Sequence, residues 1–164
     1  MHEQWSDYIL LRLEEHVKKC VDVGVISLVE ARQINELFEL VTGSLANFQS
    51  ALLHGDLGNH NIFTDGKRIT AVIDWEDCLC GDPVFDIAFW ATFHPEERHR
   101  FFLEGYQAEN RLPEDFARRF WLYYLRIALS KTVLRERFGL KDRPGRPPAA
   151  GRIRRGLTAL SRAA

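Results

Sequence analysis

Two short stretches decide the fold: HGDLGNHN at positions 54–61 and IDWE at positions 73–76. Apolar runs border them at 51–53, 62–64 and 69–73. The last two runs flank Asp65-Gly66, a pair that is typical of a tight turn between antiparallel strands. The pattern therefore predicts a small β element over 51–73, in which 54–61 is a polar loop between strands.

The polar side chains of these stretches suit a divalent cation and a proton acceptor. Asp56 and Asn61 lie five residues apart in the loop, and Asp74 follows the next strand, so all three can reach one edge of the β element. Carboxylate and carboxamide oxygens are the ligands that Mg²⁺ prefers, and Mg²⁺ commonly shares substrate phosphates. A carboxylate that is not bound to the metal can accept a proton from a hydroxyl. The three residues predict a Mg²⁺ site with a general base beside it, with Asn61 and Asp74 closest together.

An Asp followed five residues later by an Asn, with a second Asp at a strand end, is the arrangement of kinase catalytic loops. Together with GDPVFDIA at 81–88, the pattern resembles the aminoglycoside phosphotransferases, which are small-molecule kinases with a protein-kinase-like fold. The resemblance spans 54–88. It implies an α+β, mostly helical fold: the C-terminal lobe of a protein-kinase-like fold, in which a small β-hairpin element carries the catalytic loop.

The resemblance also implies a role for five residues. Asp56 would be the catalytic base, and Asn61 and Asp74 would hold the Mg²⁺ that bridges the ATP phosphates. His54 and Asp86 would support the loop by hydrogen bonds. Mg²⁺ and ATP would be the cofactors, and the acceptor would be a hydroxyl of a small, cationic molecule of the aminoglycoside-antibiotic type. Positioning and metal charge supply most of the rate in such a reaction.

Several residues near the motif keep alternative interpretations. Glu76 and Asp77 either lie on a solvated loop or bind an ammonium group of the substrate. Asp86 either supports the loop or is a solvated helix residue. Trp75 and Trp90 are expected in the core, because large aromatic side chains are mostly buried.

Apolar residues spaced three and four apart predict helices around the β element. These helices are expected over 3–22, 28–42, 83–93, 95–110 and 113–138. Ser27 and Glu30 form a capping box at the start of the second one. The helices and the β element together are expected to form one kinase-like domain over 1–143.

The segment 144–164 differs from the rest because it is basic and rich in Pro, Gly, Arg and Ala. Two interpretations stay open. It is either a solvated tail after a Pro-rich linker, or a short basic helix that docks on an acidic partner or surface. In the second case Ile153, Leu157 and Leu160 would form its apolar stripe.

Charge is unevenly distributed along the chain. Positions 131–164 hold ten basic and two acidic residues, whereas 1–130 hold 12 basic and 21 acidic ones. An acidic body suits a cationic ligand or metal ions and disfavours nucleic acid as a partner, because phosphates need a basic face. No apolar run is as long as a membrane span, which needs about 18 residues. The first residues show no signal-peptide pattern. With only three cysteines, a reduced cytoplasmic location is expected.

Before position 54 the sequence shows no feature of the N-terminal lobe of such kinases. Residues 1–50 predict two helices, without a glycine-rich loop, a phosphate-binding Lys on a strand or a partner Glu. We therefore expect a catalytic lobe that is inactive alone. It would need an N-lobe partner chain, or would self-associate through an exposed apolar patch around Trp5, Tyr8 and Ile9.

Two other classes of function compete with this interpretation. The first is a non-catalytic binding module whose acidic groove holds a cationic ligand or a partner protein. The second is a metal-dependent hydrolase, which is disfavoured because the sequence has no His-rich or two-metal carboxylate cluster.

Overall fold

A computed structural model describes residues 4–43, 45, 48–140, 142 and 147–164. The chain is α+β and mostly helical, as the sequence predicts. In chain order the elements are α1 (Trp5–Leu10), α2 (Leu13–Asp22), α3 (Leu28–Thr42), β1 (Ala51–Leu53), β2 (Ile62–Thr64), β3 (Ile69–Val72), β4 (Leu79–Gly81), α4 (Val84–Phe93), α5 (Glu96–Glu109), α6 (Phe116–Arg137) and α7 (Ala149–Ala163). Short 3₁₀ turns lie at Asn59–Asn61 and Trp75–Asp77. None of the described helices is long and apolar enough to cross a membrane.

Two antiparallel strand pairs determine where the polar loops lie. β1 pairs with β4, with Leu53 opposite Leu79, and β2 pairs with β3, with Ile62 opposite Val72. The stretch 54–61 connects β1 to β2, and the stretch 73–78 connects β3 to β4. Because β1 pairs with β4 and β2 pairs with β3, both connections lie at the same ends of the paired strands. Strand pairing alone brings the two polar stretches together. The sequence analysis did not predict β4, which completes this arrangement.

The central helix of the core is α6. It packs against α2, α4 and α7, so it is buried on several faces rather than along one stripe. Its buried side chains include Leu122, Tyr123, Leu125 and Leu129. The helix thereby joins the N-terminal helices, the helix that follows the β element and the last helix into one core.

The predicted helix over 3–22 is in fact two helices, α1 and α2. The break lies at Arg12, which has a left-handed backbone with φ of 56°. Buried Arg126 of α6 satisfies the carbonyls at the break, donating from Nε to Ile9 at 2.7 Å and from Nη2 to Leu11. A helix end needs such partners for its last carbonyl groups. This break was missed because the residue that stabilises it is more than a hundred positions away.

The N-terminal helix is anchored to the lobe. The indole Nε1 of Trp5 donates to the Tyr123 hydroxyl at 2.8 Å, and its ring lies against Gly81, where a Cβ would come within 2.1 Å of it. Ile9 is fully buried, and Trp5 and Tyr8 are partly buried. The prediction of an exposed patch around these three residues is therefore wrong.

The last helix belongs to the core. Ile153, Leu157 and Leu160 of α7 are buried, and α7 packs on α6 and α3. Arg154 adds an ion pair with Glu30 at 2.7 Å, and this contact and the Ser27 cap lower the pKa of Glu30 to about 2. The interpretation of the whole segment as a solvated tail is wrong, because its apolar stripe covers a face of α6. The linker part at 144–146 lies outside the described residues.

Candidate active site

A carboxylate on α4 fixes the start of the loop. Asp86, in the first turn of α4, accepts hydrogen bonds from the backbone N–H of His54 at 2.7 Å and of Gly55 at 3.0 Å. Burial raises the pKa of the Asp86 carboxyl, and the two N–H groups oppose that rise. Asp86 is therefore partly buried and bonded to the loop, which excludes the solvated alternative.

The imidazole of His54 connects the two polar stretches. Its Nε2 donates to the carbonyl of Ile73 at 2.8 Å, and its Nδ1 accepts from the backbone N–H of Asp56 at 3.3 Å. The Ile73 carbonyl can only accept, so Nε2 carries the ring proton. The ring lies against the partly exposed Trp75, so the expectation of a core position for that tryptophan is wrong. One buried side chain thus links the residue before Asp74 to Asp56.

The loop approaches the second stretch so closely that only glycine fits at position 55. Gly55 has φ of +81°, and a Cβ there would lie 2.3 Å from the backbone oxygen of Asp77. Left-handed backbone is costly for residues with a Cβ. The close contact and the backbone conformation therefore both require this glycine.

The carboxylate of Asp56 faces a lysine that the sequence analysis missed. Lys131 of α6 places Nζ 2.8 Å from Oδ1 of Asp56 and 4.8 Å from the centre of the Phe89 ring. His60 Nε2 lies 3.6 Å from the other carboxylate oxygen. The Asp56 side chain is about a quarter exposed (26%), so solvent or a ligand can reach it. No local signal identifies Lys131, because 75 positions separate it from Asp56.

A backbone hydrogen bond joins Asn61 to the residue before Asp74. The N–H of Ile73 donates to the Asn61 carbonyl at 3.0 Å. Asn61 is buried, and its amide nitrogen donates to the Asp56 carbonyl at 3.1 Å. The amide oxygen is then the atom of this side chain that can coordinate a cation. Asp74 is exposed and has a left-handed backbone with φ of 67°.

The donor set fits Mg²⁺ better than a metal held by protein side chains alone. Among the described residues, no three side chains of His, Cys, Asp and Glu cluster so that they could hold a metal ion. Mg²⁺ usually takes one or two carboxylates and completes its shell with water and substrate phosphates. Asp74 and the amide oxygen of Asn61 suit that mode of binding, with nucleotide phosphates as further ligands.

The two acidic residues after Asp74 lie elsewhere. Glu76 and Asp77 are exposed in the short 3₁₀ turn that precedes β4. Neither lines the cavity beside Asp56. The structure therefore places these two carboxylates outside that cavity.

The cavity beside Asp56 lies between the loop and three helices. It has a volume of about 590 Å³. Its lining includes Asp56, Phe89 and Phe93 of α4, Lys131 and Arg135 of α6, and Arg152 of α7. This size is within the range of small-molecule sites, about 300–1,000 Å³. Asp56, the predicted proton acceptor, thus lines a cavity of suitable size for a small molecule.

The β2–β3 hairpin presents an open apolar surface. Phe63, Ile69 and Ile73 are 51%, 63% and 44% exposed, and every residue from 63 to 71 is exposed. Isolated exposed apolar residues are ordinary, whereas this short hairpin carries several of them. This surface adjoins Asn61 and Asp74 along the chain.

Fold and loop together define a class: the kinase-like phosphotransferases. Comparison with known proteins assigns the family. The phosphotransferase enzyme family (APH) matches residues 7–122, and the chain belongs to this family. The resemblance seen in the sequence is thereby confirmed.

Two relatives show the extent of the likeness. The chain is 32% identical to the hygromycin-B 4-O-kinase of Escherichia coli over 135 residues, which cover 77% of this chain and 37% of the relative. It is 38% identical to the viomycin phosphotransferase of Streptomyces vinaceus over 58 residues, covering 33% and 20%. The match thus covers little more than a third of the hygromycin-B 4-O-kinase.

Solved structures show the same fold. A thermostable mutant of aminoglycoside phosphotransferase APH(4)-Ia, in a ternary complex with ADP and hygromycin B, superposes with a TM-score of 0.66 at 23% identity, covering 99% of this chain and 53% of that one. The choline kinase LicA from Streptococcus pneumoniae gives a TM-score of 0.58 at 17% identity, covering 92% and 55%. The chain therefore spans about half of the kinase-like structures that it matches.

Proposed function

We propose that this chain supplies the catalytic base and the metal ligands for phosphoryl transfer from ATP to a hydroxyl of a small molecule. An N-terminal lobe would complete the site. The observation that carries the proposal is the hydrogen-bond bridge through His54, which joins the backbone of Asp56 to the residue before Asp74. Asp86 holds the same segment from the helix side. The loop is thereby fixed at two points, which would preorganise its side chains for chemistry.

Each polar residue then has one task. Asp56 accepts the proton of the acceptor hydroxyl as the oxygen attacks. Lys131, at 2.8 Å, holds that carboxylate against α6. Asn61 and Asp74 would hold Mg²⁺, which supplies positive charge to the donor's phosphate oxygens when it is bound. Proton transfer to a positioned base contributes about 10²–10⁴-fold to rate, and most of the remaining acceleration comes from charge and position.

The open hairpin supports the need for a second lobe. Phe63, Ile69 and Ile73 are exposed on the segment that joins Asn61 to Asp74, where the nucleotide and an N-terminal lobe would cover them. The chain alone is therefore proposed to transfer phosphate at a negligible rate, since its half of the site would leave ATP poorly held. Misplacement of a substrate by about 1 Å can cost about 100-fold.

A non-catalytic binding module remains the second candidate, and one observation favours it. The N-terminal helix is docked through Trp5 on Tyr123, so the lobe covers that surface without a partner. The two candidates differ in one respect that can be measured: only a catalytic lobe gains activity when the other half of the kinase is supplied.

The test is complementation. The purified chain is mixed with, or fused to, the portion of the Escherichia coli hygromycin-B 4-O-kinase that lies outside the matched region. Transfer of the terminal phosphate of labelled ATP is then measured with neutral, cationic and anionic hydroxyl compounds. The proposal expects transfer only when both parts are present. Absence of transfer to every acceptor, from a complex shown to have formed, would favour the binding module.

The relatives' names point to antibiotics as acceptors, and an aminoglycoside is the acceptor that the sequence resemblance implies.

A further inference from the structure

Asp82 joins two helices of the core. It lies between β4 and α4, and it is almost fully buried, with 1% of the residue exposed. Oδ1 of its carboxylate accepts the backbone N–H of Val84, the first residue of α4, at 3.0 Å. Oδ2 accepts from two residues of α6, the Tyr123 hydroxyl at 2.8 Å and Nη1 of Arg119 at 3.2 Å. One carboxylate thus holds the start of α4 against α6.

The two donors on α6 are themselves held in place. Burial and the Asp82 carboxylate raise the pKa of Tyr123, so its hydroxyl keeps the proton that it donates. The guanidinium of Arg119 also donates from Nε to Oδ2 of Asp115 at 2.8 Å, so it lies between two carboxylates. Both donors therefore approach Asp82 from fixed positions on α6.

The first turn of α4 also carries the residue that fixes the loop. Asp86 lies four positions after Asp82 and accepts the backbone N–H groups of His54 at 2.7 Å and Gly55 at 3.0 Å. The hydrogen bonds of a helical turn fix the relative positions of its residues. A shift in the start of α4 would therefore move Asp86. It would also move the segment that leads directly into Asp56.

Stability alone gives little reason for this buried charge. Removing both partners of an ion pair from water costs about as much as their attraction returns, so apolar groups of similar volume often stabilise a core equally well. A helix cap needs only one acceptor oxygen. Asp82 instead uses both oxygens, on two different helices. This arrangement fixes the orientation of α4 relative to α6.

We infer that Asp82 is a positioning residue for the proposed base: it fixes the first turn of α4 on α6, so that Asp86 holds the loop and Asp56 in one position. The inference rests on the proposed function for the role of Asp56 as a base. Lys131 of α6 contacts Asp56 directly at 2.8 Å, so α6 would position this carboxylate through two separate sets of contacts. The contacts through Asp82 can be tested on this chain without any phosphoryl transfer.

The test substitution is Asp82→Asn. Its amide oxygen can still accept the Val84 N–H, because Asn and Asp cap helices about equally well. The other polar atom of the side chain is then an N–H₂ group, which cannot accept from Tyr123 or Arg119. The substitution therefore removes the connection to α6 and keeps the helix cap.

The first readout is hydrogen exchange of the His54 and Gly55 amides, measured by NMR on the full chain. The amides of Leu125 and Leu129, in the buried middle of α6, are the reference for global stability. Relative to this reference, the two loop amides of Asp82→Asn are expected to exchange about tenfold faster than in the wild type, because their local opening becomes easier. An unchanged ratio of loop exchange to reference exchange would overturn the inference.

Asp115→Asn is the matched control. It makes the same change in the other carboxylate that binds Arg119, at the residue before α6, and it should leave the exchange ratio close to that of the wild type. If both variants raise the ratio equally, the effect comes from lost charge around Arg119 and the inference fails.

Tyr123→Phe provides a second variant in case Asp82→Asn does not fold. It removes one of the two donors to Oδ2 of Asp82 and keeps the rest of the ring. The exchange ratio of the His54 and Gly55 amides is expected to rise in this variant as well. A wild-type ratio in Tyr123→Phe would overturn the inference.

The second readout is single-turnover transfer by the complemented complex. Partial unfolding lowers the amplitude of the reaction, whereas a displaced base lowers its rate constant. Asp82→Asn is expected to keep the wild-type amplitude and to lower the rate constant about tenfold or more, since misplacement by about 1 Å can cost about 100-fold. A loss of amplitude with an unchanged rate constant would make Asp82 a folding residue only and overturn the inference. If the wild-type complex transfers phosphate to no acceptor, the proposed function fails, and the exchange ratio alone decides whether Asp82 positions the loop.

Discussion

Gly55→Ala tests the close approach of the two polar stretches. A Cβ at this position would lie 2.3 Å from the backbone oxygen of Asp77 and 3.2 Å from the Leu79 side chain. The left-handed backbone costs about 1–2 kcal/mol once a Cβ is present. Overpacking against the backbone adds about 1–3 kcal/mol. For Gly55→Ala we expect the free energy of unfolding to fall by the sum of the backbone cost and the overpacking cost.

The matched control is Gly66→Ala in the β2–β3 turn. Gly66 has φ of +89°, close to that of Gly55, but a Cβ there would meet no atom within 4 Å. It therefore carries the backbone cost without the clash. Urea unfolding followed by fluorescence and circular dichroism gives both values. If Gly55→Ala costs no more than Gly66→Ala, the two stretches are not held in contact, and the bridge through His54 is not the feature that positions Asp56.

Three other substitutions test the core and its electrostatics. Leu160→Ala should lower the free energy of unfolding by about 2–5 kcal/mol. The control Arg154→Gln, at an exposed position of the same helix, should lower it by less than about 1 kcal/mol. If urea unfolding gives equally small losses for both variants, α7 is not part of the core. Tyr123→Phe removes the acceptor of the Trp5 indole N–H and the donor to the buried Asp82 carboxylate. It should cost about 1–3 kcal/mol, and an unchanged urea midpoint would contradict the anchor. Burial lowers the pKa of His16 from 6.5 to about 4, so between these values the unfolded chain binds the proton and the folded chain does not. The stability of the wild-type chain should therefore fall as pH drops through this window. The urea midpoint of His16→Asn should change less over the same pH range. If the midpoints of both proteins change equally with pH, the assignment to His16 is refuted.

Local patterns predict the elements that local interactions stabilise. The capping box of Ser27 and Glu30 is present, with the Ser27 hydroxyl accepting from the Glu30 N–H. The Asp65 carboxylate accepts N–H bonds from Lys67 and Arg68 in the turn between β2 and β3. Each of these interactions spans three residues or fewer, so a short window of sequence contains all of its partners.

Distant contacts decide what the sequence could not show. The break at Arg12 depends on Arg126, and the ion pair of Asp56 depends on Lys131, both on α6. The basic segment at the end of the chain could be interpreted as solvated because its partner face belongs to another helix. The types of residue at the candidate site were visible in the sequence, whereas the walls of its cavity needed the packing of α4, α6 and α7.

The measurement that tests the central claim most directly is single-turnover phosphoryl transfer by the complemented complex with Asp56→Asn. Asp65→Asn is the control, because Asp65 is an exposed carboxylate of the hairpin turn whose backbone bonds an amide oxygen can also accept. Loss of the base should lower the transfer rate about 10²–10⁴-fold, while the control should transfer at the wild-type rate. A rate for Asp56→Asn within a few-fold of wild type, or an equal loss in both variants, would contradict the assignment of Asp56 as the base.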